Sequence, residues 1–396
     1  MSETPSPTAC PSCGAAAPAG SKFCESCGTP LGGAAAPAPA STEAVTAAVA
    51  EAVEASPVDD LGHGPISAPT RRNEVTAPAT GPRPCLVCQG VVGPDGYCET
   101  CGAKAPTERD HFRETPAAWV AGVCDRGIVH HRNEDAMALL ASEAPGERAV
   151  LVVLDGVSNS IDSDVASLAG AKAARDTLRT PFPHGMGTAA SRTGAIAKVF
   201  GDAASAANDA VVAVTDPAST NPASATFAVA VVEKGLLAHA NIGDSRVYWL
   251  PDAGPAVQLT VDDSAAQQQM EAGVPRAVAE TSPQAHAITK WLGRDAPDVR
   301  PRTGQIEITG PGWVLACSDG LWNYASEPDA LAAQIAAAGT SEPLALALAL
   351  VAFANAQGGR DNITAALARV EPAATVQDSG QNASEPALDH QEESDG

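Results

Sequence analysis

Five short acidic segments contain the side chains of this chain that are best suited to catalysis. They are RNEDA at 132–136, LDG at 154–156, GDSR at 243–246, SDGLW at 318–322 and GGRDN at 358–362. Each segment alone is weak evidence, because an Asp-Gly pair usually marks a turn. As a set they offer hard oxygen ligands, which select Mg²⁺ or Mn²⁺ over softer metals. Two such cations about 3.5–4 Å apart can share one water, lower its pKa and direct it at phosphorus.

Eight of the ten cysteines form four Cys-x-x-Cys pairs near the N-terminus. The pairs are Cys10 with Cys13, Cys24 with Cys27, Cys85 with Cys88, and Cys98 with Cys101. Four thiolates delivered by two short turns surround Zn²⁺ tetrahedrally without a large hydrophobic core, so we predict one Zn²⁺ for each four-cysteine unit. Iron in the same sulfur cage and a redox-active dithiol are the alternatives. The units at 10–28 and 85–102 resemble zinc ribbons, and this resemblance implies a role in docking a protein partner.

In order and spacing, the acidic segments resemble the type 2C, or PPM, family of metal-dependent protein serine/threonine phosphatases. Three further stretches are similar to that family: QLTVDDS at 258–264, HAITKWLG at 286–293 and DNIT at 361–364. The resemblance implies hydrolysis of phosphoserine and phosphothreonine in proteins by a metal-bridged hydroxide that attacks phosphorus in line, opposing a bacterial-type protein kinase. The implied fold is α+β: an αββα sandwich of two antiparallel sheets flanked by helices, preceded by two small four-cysteine zinc ribbons on a disordered linker.

The resemblance also implies a metal role for individual residues. Asp155 is expected to bridge two Mn²⁺ or Mg²⁺ ions, with the Gly156 carbonyl on one of them and with Asp319 and Asp361 completing the other. Asp244 matches the aspartate that helps to bind a weaker third cation in bacterial members. We therefore expect a reaction centre with two or three divalent cations.

The segment around the first acidic pair departs from the family pattern. Glu134 and Asp135 match the pair that holds metal-bound waters, but His130 stands where the family has an arginine that binds the substrate phosphate. Histidine is only partly charged at neutral pH, whereas arginine binds phosphate bidentately. In an extended segment, Arg132 shares a face with His130 and Glu134. Three hypotheses stay open: Arg132 binds the phosphate, His130 binds it or donates a proton, or neither does.

Two further departures lie beside the expected ligands. VSNSID at 157–162 replaces a loop that contains, in some relatives, a histidine proposed as the leaving-group acid. Asn323 stands where many relatives have an aspartate near the third cation. Because the ligands of the two-metal centre are all present, we expect an active enzyme. The alternative is a weakly active or inactive scaffold that binds phosphoproteins and uses its zinc ribbons to dock partners.

Apolar runs are expected to position these carboxylates. AVLVVLDG at 149–156 and GWVLACSDG at 312–320 predict buried strands that each end in an aspartate. Residues 226–250 predict a hairpin that turns at Glu233-Lys234-Gly235. Helices are predicted at 164–178, 193–214 and 342–357. This mixture of elements suits sheets covered by helices.

Composition divides the 396-residue chain into several parts. We predict zinc ribbon 1 at 8–30, a disordered Ala/Pro-rich linker at 31–80, zinc ribbon 2 at 83–105, the phosphatase-like domain at 116–370 and a disordered acidic tail at 371–396. The net charge of −23 argues against nucleic acid as a partner, because such binding needs Lys and Arg to neutralise phosphates. The N-terminus lacks the pattern of a secretory signal, and the longest apolar run, 344–354, is shorter than a membrane span. We expect a cytoplasmic protein whose partners are phosphoproteins.

Overall fold

The computed structural model describes residues 90–93, 96–102, 105, 107–157, 160 and 162–371, together with the backbone of three short strands that precede them. The first four strands are β1 (Thr8–Ala9), β2 (Ala16–Ala17), β3 (Arg83–Pro84) and β4 (Val91–Val92). β1 pairs with β2 and β3 pairs with β4, both antiparallel. The predicted linker at 31–80 and the tail beyond residue 371 lie outside the described residues.

The predicted zinc ligands are described only in part. Cys98 is buried and Cys101 is exposed. The remaining six predicted ligands lie outside the described residues: Cys10, Cys13, Cys24, Cys27, Cys85 and Cys88. The assignment of all eight cysteine side chains to Zn²⁺ stays a prediction from their spacing.

Thirteen further strands build the larger part of the structure. They are β5 (His111–Ala117), β6 (Val120–Asp125), β7 (Ala136–Ala141), β8 (Arg148–Leu154), β9 (Ser224–Ala225), β10 (Phe227–Glu233), β11 (Leu236–Ile242), β12 (Arg246–Pro251), β13 (Val257–Gln258), β14 (Leu292–Gly293), β15 (Arg302–Glu307), β16 (Gly312–Cys317) and β17 (Ile363–Val370). Sheet 1 has the order β15-β11-β10-β8-β7, and sheet 2 has the order β13-β12-β16-β17-β6-β5. Neighbouring strands within both sheets are antiparallel.

Helices cover the outer face of each sheet. The helices of the described residues are α1 (Ser163–Thr177), α2 (Ala189–Val214), α3 (Ala265–Glu271), α4 (Arg276–Ala279), α5 (Asp319–Trp322), α6 (Pro328–Ala338) and α7 (Pro343–Ala356). Helices α1 and α2 pack on sheet 1, and α6 and α7 pack on sheet 2. A third apolar layer fills the space between the inner faces of the sheets. The predicted αββα sandwich is confirmed.

Most segments that the sequence predicted as strands and helices form with small shifts at their ends. The prediction of a single hairpin at 226–250 was wrong in extent, because the hairpin ends at Ile242 and Arg246–Pro251 is a third strand in the other sheet. The hairpin β10–β11 turns at Lys234 and Gly235, whose φ angles of 49° and 84° give the left-handed turn that matches strand twist. Helix α2 begins at Ala189 rather than at residue 193, because the Thr188 side chain accepts a hydrogen bond from the Ser191 backbone N–H and caps the helix.

The N-terminal boundary of the sandwich differs from the prediction. Strand β17 ends at Val370, as expected, but β5 begins at His111, ahead of the predicted start at 116. Pro116 therefore lies inside a strand and does not precede one. The strand tolerates proline because β5 is the edge of sheet 2 and its register shifts between Glu114 and Ala117.

The chain passes from sheet 1 to sheet 2 immediately after the hairpin. Strand β11 ends at Ile242 in sheet 1, and β12 begins at Arg246 in sheet 2. Asp244 lies in this crossing, so its position depends on both sheets.

Within the described part of the chain, no single helix is long and apolar enough to cross a membrane. Helices α6 and α7 are long and apolar enough only when they are taken together, and a bend of 117° separates them.

Candidate metal centre

The strands bring the predicted aspartates of both sheets together at one edge of the sandwich. Asp155 directly follows β8 of sheet 1, whereas Asp319 follows β16 and Asp361 precedes β17 in sheet 2. Burial raises the pKa of Asp155 well above its usual value, and the nearby charges of Asp135, Asp319, Asp361 and Asp244 raise it further. The predicted ligands therefore form one electrostatic cluster.

The other members of the cluster also resist ionisation. Burial, followed by the charges of Asp361, Asp244 and Asp135, raises the pKa of Asp319 well above its usual value. Burial raises the pKa of Asp135 and of Asp244 to about 7. The pKa of Asp361 is also raised by burial, while the neighbouring His130 acts in the opposite direction. Positive charge from bound cations is the direct way to hold such carboxylates ionised.

Two unpaired oxygens support a cation at this place. The Oδ1 atoms of Asp135 and Asp319 are buried and have no hydrogen-bond partner among the described residues. A buried carboxylate oxygen without a donor is costly unless something else compensates it. Oxygen-rich sites of this kind suit Mg²⁺ and Mn²⁺. The donor set therefore fits the divalent cations that the sequence predicted.

Hydroxyl groups behind the cluster orient Asp135. The Ser318 and Thr364 hydroxyls donate to its Oδ2 atom at 2.6 and 2.7 Å. These two bonds occupy one carboxylate oxygen and leave Oδ1 for a ligand. Neither hydroxyl was predicted from the sequence, although Ser318 and Thr364 lie in the quoted SDGLW and DNIT segments.

Asn362 ties the loop before β7 to the start of β17. Its Oδ1 accepts from the Glu134 backbone N–H at 2.7 Å, and its Nδ2 donates to the carbonyls of Arg126 and Arg132 at 2.7 and 3.1 Å. One amide thus fixes the backbone of the segment that carries the acidic pair.

Asp155 and Gly156 are held from both sides. The Asp155 N–H donates to the Thr226 hydroxyl at 2.9 Å, and the Thr226 N–H donates to the Asp155 carbonyl at 2.8 Å. A Cβ atom on Gly156 would lie 2.7 Å from the Glu134 carbonyl oxygen. Only glycine fits this close approach. The Gly156 backbone, which is predicted to supply a carbonyl ligand, can therefore lie next to the Glu134 carbonyl.

His130 and Arg132 both reach Glu134, but their segment belongs to none of the strands. His130 Nε2 lies 3.3 Å from Asp361 Oδ1, and its Nδ1 lies 4.0 Å from Glu134 Oε2. The Arg132 guanidinium donates to Glu134 Oε1 at 2.6 and 3.0 Å and to the Ser160 carbonyl at 2.7 Å. His130 therefore lies directly beside a predicted metal ligand, whereas much of the Arg132 donor capacity is already used.

The structure adds one potential metal ligand that the sequence did not predict, His286. One ligand atom each from Asp244, His286 and Asp319 lies within 4.8 Å of the others. The HAITKWLG stretch carries no local signal for this contact, because nothing in the spacing of 244, 286 and 319 brings them together. Asn323 donates from Nδ2 to Asp319 Oδ2 at 3.1 Å and so positions this ligand.

A cleft of roughly 600 Å³ opens beside the acidic cluster. Its walls include His286, Asp319, Asp361 and Arg360. Because the predicted ligands form part of this surface, a substrate in the cleft can reach them from solvent.

Together, the double-sheet sandwich and the acidic centre at its edge define a PPM-like phosphatase fold. The chain belongs to the protein phosphatase 2C family, whose model matches residues 129–348. A double zinc ribbon model matches residues 10–102. The predicted phosphatase-type domain and the N-terminal zinc ribbons are confirmed by these matches.

Known relatives match parts of the chain to different extents. Protein phosphatase PhpP of Streptococcus pneumoniae is 35% identical over 133 residues, which are 33% of this chain and 51% of that protein, about half of its length. Serine/threonine phosphatase stp of Listeria welshimeri is 26% identical over 245 residues, 61% of this chain and 92% of that protein. The crystal structure of the Mycobacterium tuberculosis serine/threonine phosphatase PstP/Ppp superposes with a TM-score of 0.53 and 27% identity, covering 64% of this chain and 98% of that one.

Proposed function

We propose that this chain hydrolyses phosphoserine and phosphothreonine in proteins, using two Mn²⁺ or Mg²⁺ ions held by Asp155, Asp319 and Asp361. The support for this proposal is the convergence of one buried and two half-buried carboxylates with raised pKa values beside the cleft. When bound, such cations supply Lewis-acid activation of water and neutralise charge on the phosphoryl oxygens. The named phosphatases among the relatives agree with this reaction class.

The protein's own groups hold the ligands in place. Ser318 and Thr364 fix one oxygen of Asp135, and Asn362 fixes the backbone of Glu134. Asp135 and Glu134 are buried, so their carboxylates have little freedom to turn away from the centre. We assign to this pair the orientation of water at the metal site.

We assign the substrate phosphate to His130 and the support of Glu134 to Arg132. His130 lies 3.3 Å from Asp361, a residue that lines the cleft, whereas the Arg132 guanidinium already contacts Glu134 and the Ser160 carbonyl. Arginine at position 130 would add a permanent bidentate donor. His130→Arg should therefore lower KM more than it changes kcat, and a KM that is unchanged or raised would contradict this assignment.

The partners follow from the reaction class and the ribbons. We propose that the substrates are phosphoproteins produced by a bacterial-type serine/threonine kinase and that each zinc ribbon binds one Zn²⁺ and docks a protein partner. The match of residues 10–102 to a double zinc ribbon supports the second part. About two zinc ions per chain are expected in metal analysis of the full chain, and iron or no tightly held metal would contradict it.

The activity is tested with the full chain on a phosphothreonine peptide and on p-nitrophenyl phosphate. Hydrolysis is expected with Mn²⁺, and it should be lost with a chelator and in Asp155→Ala and Asp319→Ala. Asp209→Ala is the matched control, because Asp209 is an exposed aspartate on α2. If the wild type is no more active than the two site variants, the proposed enzymatic activity is refuted. The result would then favour a phosphoprotein-binding scaffold, an alternative that is supported by histidine at position 130 in place of the family's arginine.

A further inference from the structure

Arg360 supplies the one fixed positive charge on the wall of the cleft. The charged side chains of the described residues that line this wall are Glu280, Asp319, Asp361 and Arg360, while His286 is only partly charged near neutral pH. Arg360 is exposed to solvent. Its backbone N–H donates to the Tyr324 hydroxyl, but within the described part of the chain its guanidinium has no ion-pair or hydrogen-bond partner. The donors of the guanidinium are therefore available to a ligand.

The negative charges of the same wall are already compensated. Glu280 forms ion pairs with Arg246 at 2.9 Å and with Arg276 at 3.2 Å. Asp319 and Asp361 are the carboxylates that we assign to divalent cations. Among the described residues of the wall, Arg360 is thus the charge that still lacks a counter-charge. An anionic group of a bound substrate would provide it.

The backbone that carries Arg360 is held from two sides. Its N–H donates to the Tyr324 hydroxyl at 3.0 Å. The carbonyl of the preceding residue, Gly359, accepts from the N–H groups of Ile128 and Val129 at 2.8 and 3.1 Å. Gly359 has a φ angle of 49°, which favours glycine in this tight turn. The Arg360 side chain therefore extends from a fixed point on the wall.

The position of Arg360 in the chain places it one residue from the acidic centre. It directly precedes Asp361, whose Oδ1 lies 3.3 Å from His130 Nε2. Consecutive Cα atoms are about 3.8 Å apart, and residues of an extended peptide are spaced by about 3.3 Å. A side chain next to the reacting residue of a substrate therefore lies within reach of a long side chain at position 360. The reacting phosphate itself is assigned to His130, which leaves Arg360 for a second group.

We propose that Arg360 selects substrates in which an anionic group flanks the phosphoserine or phosphothreonine. The group is the carboxylate of an acidic residue or a second phosphate, since both match the planar donors of a guanidinium. The proposal rests on the proposed function, because it places the reacting phosphate at the acidic centre. The net charge of −23 would otherwise disfavour an anionic peptide, so the preference has to come from a local cation.

The test measures binding without turnover. Three labelled peptides carry a phosphonate analogue of phosphothreonine, which cannot be hydrolysed, flanked on both sides by glutamine, by glutamate or by the phosphonate analogue of phosphoserine. Fluorescence anisotropy gives the Kd of each peptide for the full chain with Mn²⁺. The preference for an anionic over the glutamine peptide should fall about two- to fivefold in Arg360→Gln, the size of an exposed ion pair, and further in Arg360→Glu. Arg192→Gln is the matched control and should keep the wild-type preference, because Arg192 is an exposed arginine on α2.

The peptides also distinguish the two anionic groups. A fall for the glutamate peptide identifies a carboxylate, whereas a fall for the phosphoserine analogue alone identifies a second phosphate. An unchanged preference in Arg360→Gln for both peptides, an equal fall in Arg192→Gln, or no measurable binding of any peptide would overturn the proposal. Hydrolysis of a phosphothreonine peptide by the wild type is measured in parallel. Hydrolysis without a change in preference counts against Arg360 alone, and a change in preference without hydrolysis counts against the enzyme alone.

Discussion

A buried histidine makes the stability of the sandwich depend on pH. His239 lies on β11, on the same face as Leu237, which belongs to the apolar layer between the sheets. It is 8% exposed, and its Nδ1 has no hydrogen-bond partner among the described residues. Burial lowers the pKa of His239 to about 4. We predict that His239→Leu removes part of the loss of stability in acid.

The magnitude follows from the two pKa values. An imidazole in the unfolded chain titrates near pH 6.5, so between about pH 6.5 and pH 4 the unfolded state binds a proton that the native state does not. The free energy of unfolding therefore falls as the pH is lowered through this window. His239 is expected to destabilise the wild type by about 2 kcal/mol between pH 7 and pH 5, and by about 3 kcal/mol at pH 4.

The assay compares urea unfolding of the full chain and of His239→Leu at pH 7, 6 and 5 with the same metal and salt. All five tryptophans lie between residues 119 and 322, so their fluorescence reports on the sandwich. The difference in unfolding free energy should move by about 2 kcal/mol in favour of the variant from pH 7 to pH 5. His184→Leu, which removes an exposed imidazole, is the matched control and should show no such trend. A difference that stays constant for His239→Leu would refute the reasoning.

Three further substitutions test other contacts. Gly304→Ala would place its Cβ against the His239 ring and should destabilise by about 1–3 kcal/mol in urea unfolding; an equal loss in a His239→Ala background would contradict this cause. Arg246→Met leaves the buried Asp262 without its ion-pair partner and should lower the unfolding free energy by about 3–5 kcal/mol, whereas a loss below about 1 kcal/mol would argue against a buried ion pair. Ser318→Ala removes a donor to Asp135 and should weaken Mn²⁺ binding about 10–100-fold in calorimetry, and unchanged affinity would exclude this role.

The sequence was most informative where local pattern and burial coincide. The runs before Asp155 and Asp319 are continuously apolar, and both form fully buried strands that deliver their aspartates to the same edge. The Lys234-Gly235 turn is likewise a local property, because both residues adopt positive φ. These features are determined by residues that are adjacent in the chain, and the hydrophobic pattern of the sequence reports on adjacent residues directly.

Contacts between distant segments could not be derived in this way. His286 joins Asp244 and Asp319 only because the loop before β14, the crossing between sheets and the end of β16 meet in space. The hydrogen bonds from Arg132 to Glu134 and to the Ser160 carbonyl also depend on how a loop packs against α1. The alternation of side chains along a strand does not predict them. Residue spacing gives information about one helix, strand or loop at a time, whereas these contacts join elements that are distant in the sequence.

The position of the acidic edge has a consequence for the lifetime of the protein. Asp155 follows a strand of one sheet, Asp319 and Asp361 lie beside strands of the other, and between those sheets the contacts are largely apolar. A cation shared by these side chains would hold the two sheets together, because a ligand that binds only the native state stabilises that state. A shortage of metal would then lower the stability of the native state as well as the turnover. It would let the layers separate more often at this edge and expose the chain to proteolysis, so metal supply would set how long each molecule survives.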